Sequence, residues 1–372
     1  MRASKLGALK SGVAALSLVF TGAGATLDPR ITFSRASTAT FVGSNGLIQS
    51  AAINAPRFDY NPSTLAARGL LIEEQRTNLA LWSSDLTNVL WVKTAMTTAL
   101  TATGPDGVAN SATTLTATLG NATALQTIVS ASAARVTSAW IKRRTGSGVI
   151  QMTQDNGVTW TAVTVTAGWT QVQIPSATAA NPIIGFRIVT NADAVDVALV
   201  NHEQGTFATS AIPTTTATVT RSADVASMTG TNFSSWYNAS AGTFVAVGDF
   251  SGSVGALMDV DNSTTELLSL EIGTGTGTRA ITTAGNVFNQ ITGPASTANA
   301  VHKMAVAYAA SNFGLSVDGS APATQLTGAV PSPVALRIGQ LSPYSAWLNG
   351  HVQSITYYNT RKSNAELQAL ST

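Results

Sequence analysis

The chain has 372 residues, of which only 10% are charged, and its formal net charge is +2. A typical globular domain carries about 25% charged residues. So small a positive excess excludes electrostatic capture of nucleic acid or of an anionic membrane as the organising function. Cysteine is absent, which excludes disulfides, thiolate metal sites and a cysteine nucleophile.

A single core rarely grows past about 250–300 residues, so the length predicts two sizeable domains. Thr, Ser, Ala, Gly and Val dominate the composition, and such residues suit strands and turns rather than solvated helices. The expected fold is all-β: two tandem antiparallel β-sandwiches of jelly-roll type, preceded by an N-terminal segment and a hairpin region.

At the N-terminus Arg2, Lys5 and Lys10 lead into an apolar run from Val13 to Phe20 and then Ala23-Gly24-Ala25. That is the layout of a secretory signal, but the run is short and Ser17 breaks it. Residues 1–27 are therefore read as an anchor segment that docks on another protein. No later stretch reaches the ~18 apolar residues that cross a bilayer.

Residues 28–76 read as a hairpin and connector region. Ser44-Asn45-Gly46 separates β-prone runs, and Asn-Gly is a strong hairpin signal because both central residues of the tightest turn need positive φ. Tyr60-Asn61-Pro62-Ser63 marks a second turn. Residues 77–224 read as the first sandwich, with a tight turn at Gly104-Pro105-Asp106-Gly107 and strand-like runs at Val136–Ile141, Thr159–Val165, Trp169–Ile174 and Ile183–Val189. Residues 225–372 repeat the style from Gly242–Phe250 to Gly350–Tyr358. Ser363-Asn364-Ala365-Glu366 is a capping box and predicts a helix over Ala365–Leu370.

Two stretches carry a resemblance. One runs Pro56-Arg57-Phe58-Asp59-Tyr60-Asn61-Pro62 and continues from Gly69 through Glu73-Glu74-Gln75-Arg76-Thr77-Asn78-Leu79. The other runs Gly205-Thr206-Phe207-Ala208-Thr209-Ser210-Ala211-Ile212-Pro213-Thr214 and then Val219-Thr220-Arg221-Ser222-Ala223-Asp224. Both are similar to phage virion proteins of the head-spike, head-fibre and tail-fibre kind. In these proteins a carbohydrate-binding-module-like jelly roll joins a laminin-G or concanavalin-like domain. The last strand and helix, Gly350–Tyr358 and Ser363–Leu367, also resemble laminin-G-like endings. The resemblance implies a particle-surface location and an N-terminal segment docked on other virion proteins. It further implies a homo-oligomer, commonly a trimer, and attachment to host surface glycans, with no nucleic acid and no membrane span. A purely structural decoration or connector protein is the alternative, and a capsule-degrading glycosidase a third. The stretch 205–224 is read as a domain boundary, with chemistry expected in loops away from it.

Paired carboxylates would mark a glycosidase if they stood about 5 to 9.5 Å apart. Glu73 and Glu74 are adjacent and point to opposite faces of a strand, and Glu266 and Glu271 diverge as well. The reading is therefore of a chain without enzymatic activity. Asp259 and Asp261 share a face and are weak calcium candidates, although Thr264 and Leu270 stand where a helix-loop-helix site needs Gly and Glu; no other cofactor is expected. His202, His302 and His351 lack metal-ligand spacing. Lys142-Arg143-Arg144 reads as a solvated strand end. For a glycan, exposed rings beside amides are the physical requirement. Trp236, Tyr237 and Asn238, and likewise Tyr344, Trp347 and Asn349, are the candidate ligand-binding residues. Trp140 and Trp169 are expected in the core.

Overall fold

A computed structural model of the chain describes residues 12–22, 24–252, 254–341 and 346–372. The expected two antiparallel sandwiches are present, and among the described residues no helix is long and apolar enough to cross a membrane.

In the first sandwich, a six-stranded sheet runs in the order Thr170–Gln173, Ala133–Thr145, Ala194–Gln204, Ala112–Ala117, Met96–Ala102, with Ala177–Ala179 also paired to Ala133–Thr145. The facing five-stranded sheet runs Thr161–Val163, Ile150–Thr153, Ile183–Ile188, Ala122–Thr127, Val92–Thr94. Successive strands mostly switch sheets, which is the jelly-roll winding. Period-2 patterning explains the packing: in Ala122–Thr127, Ala122, Ala124 and Gln126 are buried and their neighbours less so. Trp91, Leu115, Ile141, Phe186 and Val197 fill the space between the sheets.

The second sandwich is built from both ends of the chain. Strand Leu16–Val19 pairs with the long strand Gly350–Tyr358, from Leu16 opposite Tyr357 to Val19 opposite Ser354. Ala67–Ile72 continues along the same edge, with Leu70 opposite Val352, and Phe58–Tyr60 pairs outside it. In the other sheet, Thr32–Ser34 pairs with Val225–Thr229. Leu16, Leu18 and Phe20 are buried in the same core as Phe244, Leu268, Leu336 and Tyr357.

This changes the expected division of the chain. Within residues 1–27, Leu16–Val19 is a strand paired along one edge to Gly350–Tyr358 with one face in the core, not a free anchor, while residues 1–11 and Ala23 lie outside the described residues. Ser17 interrupts the apolar run because it occupies an outward position of a strand whose burial alternates. Residues 28–76 likewise supply strands to the second sandwich instead of standing before it as a separate region.

The hairpin around Asn45-Gly46 forms between Ala39–Val42 and Ile48–Ala51. It is a longer loop than the two-residue turn expected: Gly46 carries the positive φ of 77° and its amide donates to the Gly43 carbonyl at 2.9 Å. At the second turn, Asn61 Oδ1 accepts from the amides of Ser63 and Thr64 at 2.9 and 3.0 Å. The capping box closes helix Asn364–Leu370, with Ser363 Oγ accepting from the Glu366 amide at 3.3 Å and Glu366 Oε2 accepting from the Ser363 amide at 2.8 Å. A short helix, Thr231–Ser234, was not expected; it buries Phe233.

Leu18→Ala should cost about 2–5 kcal/mol, the usual range for a leucine truncated in a core. Urea unfolding followed by tryptophan fluorescence measures it, and a loss below ~0.5 kcal/mol would mean that this strand does not belong to the core.

Candidate functional site

The two resembling stretches meet in space. Glu73 follows the strand Ala67–Ile72, Arg221 ends the strand Val219–Arg221, and Arg57 precedes Phe58–Tyr60. Arg57 Nη1 lies 2.7 Å from Glu73 Oε2, Arg221 Nη1 lies 3.0 Å from the same oxygen, and Arg35 Nη1 lies 3.0 Å from Asp224 Oδ1. Arg57 Nη2 also pairs with Asp224 Oδ2. All five side chains are at most 5% exposed.

Backbone and hydroxyl groups complete the cluster. Ser210 donates its amide and its hydroxyl to Glu73 at 2.7 and 2.6 Å, and the Glu73 amide donates to Asp224 Oδ2 at 2.9 Å. Burial by itself would raise the Glu73 pKa; Arg221, Arg57 and Ser210 outweigh it and bring the value down to about 2. Glu73 is thus an ionised structural carboxylate that cannot serve as a proton donor near neutral pH.

Against this cluster opens a cleft of about 410 Å³. The hairpin contributes Phe41 and Val42, the first sandwich Trp140, Gln171 and Gln173, the stretch after it Phe207 and Thr209, and the second sandwich Ser251, Asn299 and Asn349. The candidate chemistry therefore lies beside residues 205–224, not away from them. Gln171 Nε2 donates to the Thr209 carbonyl at 3.0 Å and Gln173 Oε1 accepts from the Ala208 amide at 2.9 Å. Asn299 Oδ1 accepts from Ser251 Oγ at 2.8 Å. Each of these exposed amides keeps its other polar atom free, beside the half-buried ring of Phe207.

At the floor of the cleft His351 sits between two carboxylates. Its Nδ1 lies 2.7 Å from Asp249 Oδ1 and its Nε2 lies 3.0 Å from Asp59 Oδ2. Two carboxylate acceptors require both ring nitrogens to carry protons. Burial pulls the His351 pKa down, but Asp249 and then Asp59 outweigh it and the net shift is upward. Burial likewise opposes ionisation of Asp249, yet His351 and Arg68 lower its pKa to about 2. Arg68 reaches Asp249 at 3.1 Å and is the most solvent-facing member of the group.

The expected ligand residues fare unequally. Asn349 lines the cleft, but its amide is committed: Oδ1 accepts from the Glu74 amide at 2.9 Å and Nδ2 reaches Glu74 Oε2 at 3.2 Å. Trp347 is half-buried and its Nε1 donates to the Asp224 carbonyl at 2.8 Å, so it braces the ion cluster instead of offering a free face. Tyr344 lies outside the described residues. Trp236 and Tyr237 do not form a surface platform. Trp236 is 7% exposed and both rings pack with Phe233, Phe244 and Tyr357 in the core. Asn238 locks the adjacent turn, with Nδ2 donating to the Asn359 carbonyl at 2.9 Å. The amphipathic pattern ring-ring-amide fits a capped core as well as a sugar platform, and the short helix before it turns the rings inward.

Trp140 is buried, as expected, but beneath the hairpin in a small outer cluster with Val42 and Ala211, and Trp169 is only partly buried beside it. The run Lys142-Arg143-Arg144 is paired with Asp196 and Asp193, so that a single positive charge is left over in place of a free basic patch. His202, held by Thr137 at 2.8 Å, is driven to a pKa of about 3 by burial and by Arg135, and is neutral.

Asp259 and Asp261 do share a face, with Glu271 on the neighbouring strand. Arginines take up the other two carboxylates: Arg337 Nε donates to Asp261 at 3.1 Å and Arg279 Nε to Glu271 at 2.8 Å. Among the described residues no group of three or more His, Asp and Glu side chains is arranged to hold a metal ion. Asp259 is fully buried, and burial, then Asp261, push its pKa well above the usual carboxylate range. Both Asp259 carboxyl oxygens are buried without a hydrogen-bond partner, and burial favours the neutral acid.

No family model matches the chain, and neither does any curated protein. Among solved structures, a mutant NanB sialidase of Streptococcus pneumoniae is similar at 14% identity, with a TM-score of 0.34, over 39% of this chain and 26% of that one. A sialidase of Trypanosoma rangeli is similar at 15% identity and a TM-score of 0.31, over 40% of this chain and 25% of that one. The same enzyme in complex with 2,3-difluorosialic acid aligns over 62% of this chain and 32% of its own length, at 13% identity and a TM-score of 0.33. The chain thus spans about a quarter to a third of these proteins' length. These neighbours are glycosidases, which corrects the expectation of a chain without enzymatic activity; likeness at this level assigns no reaction to it.

Three outcomes follow from the charges. Asp224→Ala should cost about 3–5 kcal/mol in urea unfolding, because Arg35 is left buried without a carboxylate and Arg57 keeps only Glu73. Since the folded pKa of Glu73 lies below its ordinary 4.5, its contribution is complete above that pH and is lost as pH falls toward about 2. Urea titrations at stepped pH should show this acid limb flattened in Glu73→Gln, and an unchanged limb would refute it. Asp259 has the opposite sign: its raised pKa makes its contribution complete at low pH and progressively lost as pH rises. Asp259→Asn should therefore raise Tm at pH 7 more than at pH 4, by differential scanning calorimetry; a lower Tm at pH 7 would contradict the neutral assignment.

Proposed function

We propose that this protein is a carbohydrate-binding structural component of a particle-surface appendage, with the cleft between the two sandwiches as its glycan site. The observation that carries the reading is the composition of that cleft: the half-buried rings of Phe41 and Phe207 stand beside the part-free amides of Gln171, Gln173 and Asn299. Apolar sugar faces stack on rings while hydroxyls need donors and acceptors at fixed positions, and a cleft of about 410 Å³ is in the range that small ligands occupy. The particle role rests on the resemblance of residues 56–79 and 205–224 to phage spike and fibre proteins. It is compatible with an oligomer that presents several clefts, where avidity would offset weak single-site binding.

A glycan array with the purified chain, followed by titration of the best ligand, tests the reading. Gln171→Ala and Asn299→Ala should each weaken binding about tenfold, the loss of roughly one good hydrogen bond. Released reducing ends are read in the same samples, so that hydrolysis would be seen. Absence of any glycan signal, or affinity unchanged in the double variant, would reject the cleft as the site.

A further inference from the structure

A second cavity, of about 560 Å³, is lined by Glu74, the neighbour of the Glu73 that lines the cleft. Its walls include Arg76, Arg135, Ser130, Gln204 and Gly205. Arg76 is anchored at one end, with Nη2 2.6 Å from Glu74 Oε1 and its guanidinium 4.7 Å from the centre of the Phe207 ring. Its Nε and Nη1 have no partner, although the side chain is only 5% exposed. Arg135 gives Nη2 to the Ala131 carbonyl at 2.8 Å and Nη1 to the Ala179 carbonyl at 3.3 Å, and its Nε is likewise buried and unpaired. The Ser130 hydroxyl is a further buried atom without a partner.

Four unpaired donor atoms around one cavity need an account, because buried polar groups of folded proteins are almost always satisfied and an unmade bond costs about 1–3 kcal/mol. Arg135 sharpens the case. It is 6% exposed, no carboxylate pairs with it among the described residues, and burial depresses its pKa. Arg76 approaches so closely because position 205 is glycine: a Cβ there would fall 1.7 Å from Arg76 Nη1, and the backbone φ of 135° is one that other residues rarely adopt.

We infer that this cavity is an anion site for the carboxylate of an acidic sugar, a uronic acid residue, held by Arg135 and Arg76. In the lining two guanidinium groups face one carboxylate, Glu74, with Glu203 also acting on Arg76; a doubly charged phosphate would be repelled by these carboxylates more strongly than a monoanion. Planar guanidinium groups match a carboxylate's two oxygens. Gln75, Thr77 and Gln204 supply amide and hydroxyl groups for the ring hydroxyls. The site extends the carbohydrate reading to acidic glycans, but it shares no residue with the cleft and stands or falls separately.

Isothermal titration of the full chain with glucuronate, glucose and inorganic phosphate tests it, with thermal scans in parallel. Saturable glucuronate binding that raises Tm, weakened at least tenfold in Arg135→Gln and partly kept in Arg135→Lys, supports the inference. Glucuronate binding should persist in Gln171→Ala, which separates this site from the cleft. If Arg135→Gln does not fold, the comparison of glucuronate with glucose and phosphate on the unaltered chain decides. The inference is overturned by no saturable glucuronate binding at millimolar concentration, by equal binding in a folded Arg135→Gln variant, or by phosphate binding as tightly as glucuronate.

Discussion

Three arginines and two carboxylates, buried together, hold this molecule in one shape. Arg35 and Arg57 come from the N-terminal region, Glu73 from the strand that leads into the first sandwich, and Arg221 and Asp224 from the stretch that leads out of it. Ions removed from water are costly unless most donors and acceptors find partners; here Ser210, Thr40, Ala52 and the Glu74 carbonyl supply further contacts, while the Nε atoms of Arg57 and Arg221 stay unpaired. Such a cluster adds little net stability over an apolar core of the same volume. What it imposes is register: the charges can be paired only when the entry to and the exit from the jelly roll lie side by side.

The cleft follows from that constraint. With both ends of the first sandwich pinned to the second, the outer face bearing Trp140 and Gln171 is set opposite the loops bearing Ser251 and Asn299, and the hairpin Ala39–Val42 with Ile48–Ala51 closes one side. Phe207 lines the cleft while its ring lies against the Arg76 guanidinium, which lines the second cavity. The His351 pair of carboxylates then fixes the cleft floor, joining Asp59 from the N-terminal strands to Asp249 from the second sandwich. Each of these contacts spans a large sequence separation, so folding of the junction has to await both sandwiches.

Local features were legible in the chain. Alternation of small and apolar residues predicted two sandwiches, and the capping box at Ser363 and Glu366 predicted the last helix to within one residue. The motif residues Arg57, Glu73, Arg221 and Asp224 were visible as a pattern, but not as an ion cluster, since nothing in linear order says that charges 167 positions apart share one pair. The aromatic candidates failed for a related reason. Trp236 and Tyr237 carry the same local signal as a sugar platform, and only the packing of Phe233, Phe244 and Tyr357 around them makes them core.

By itself, then, the order of residues determined what short-range physics can determine: strand periodicity, turns that need Gly or Asn, a capped helix, and a chain too poor in charge and cysteine for several classes of function. Tertiary structure decided what depends on distant partners. It drew Leu16, Leu18 and Phe20 into the second sandwich, made Glu73 a fixed anion, left Asp259 without a counter-charge, and placed Arg76 and Arg135 around a cavity with donors to spare. A side chain's environment is set by whichever segments pack against it, and in this fold those segments come from opposite ends of the chain.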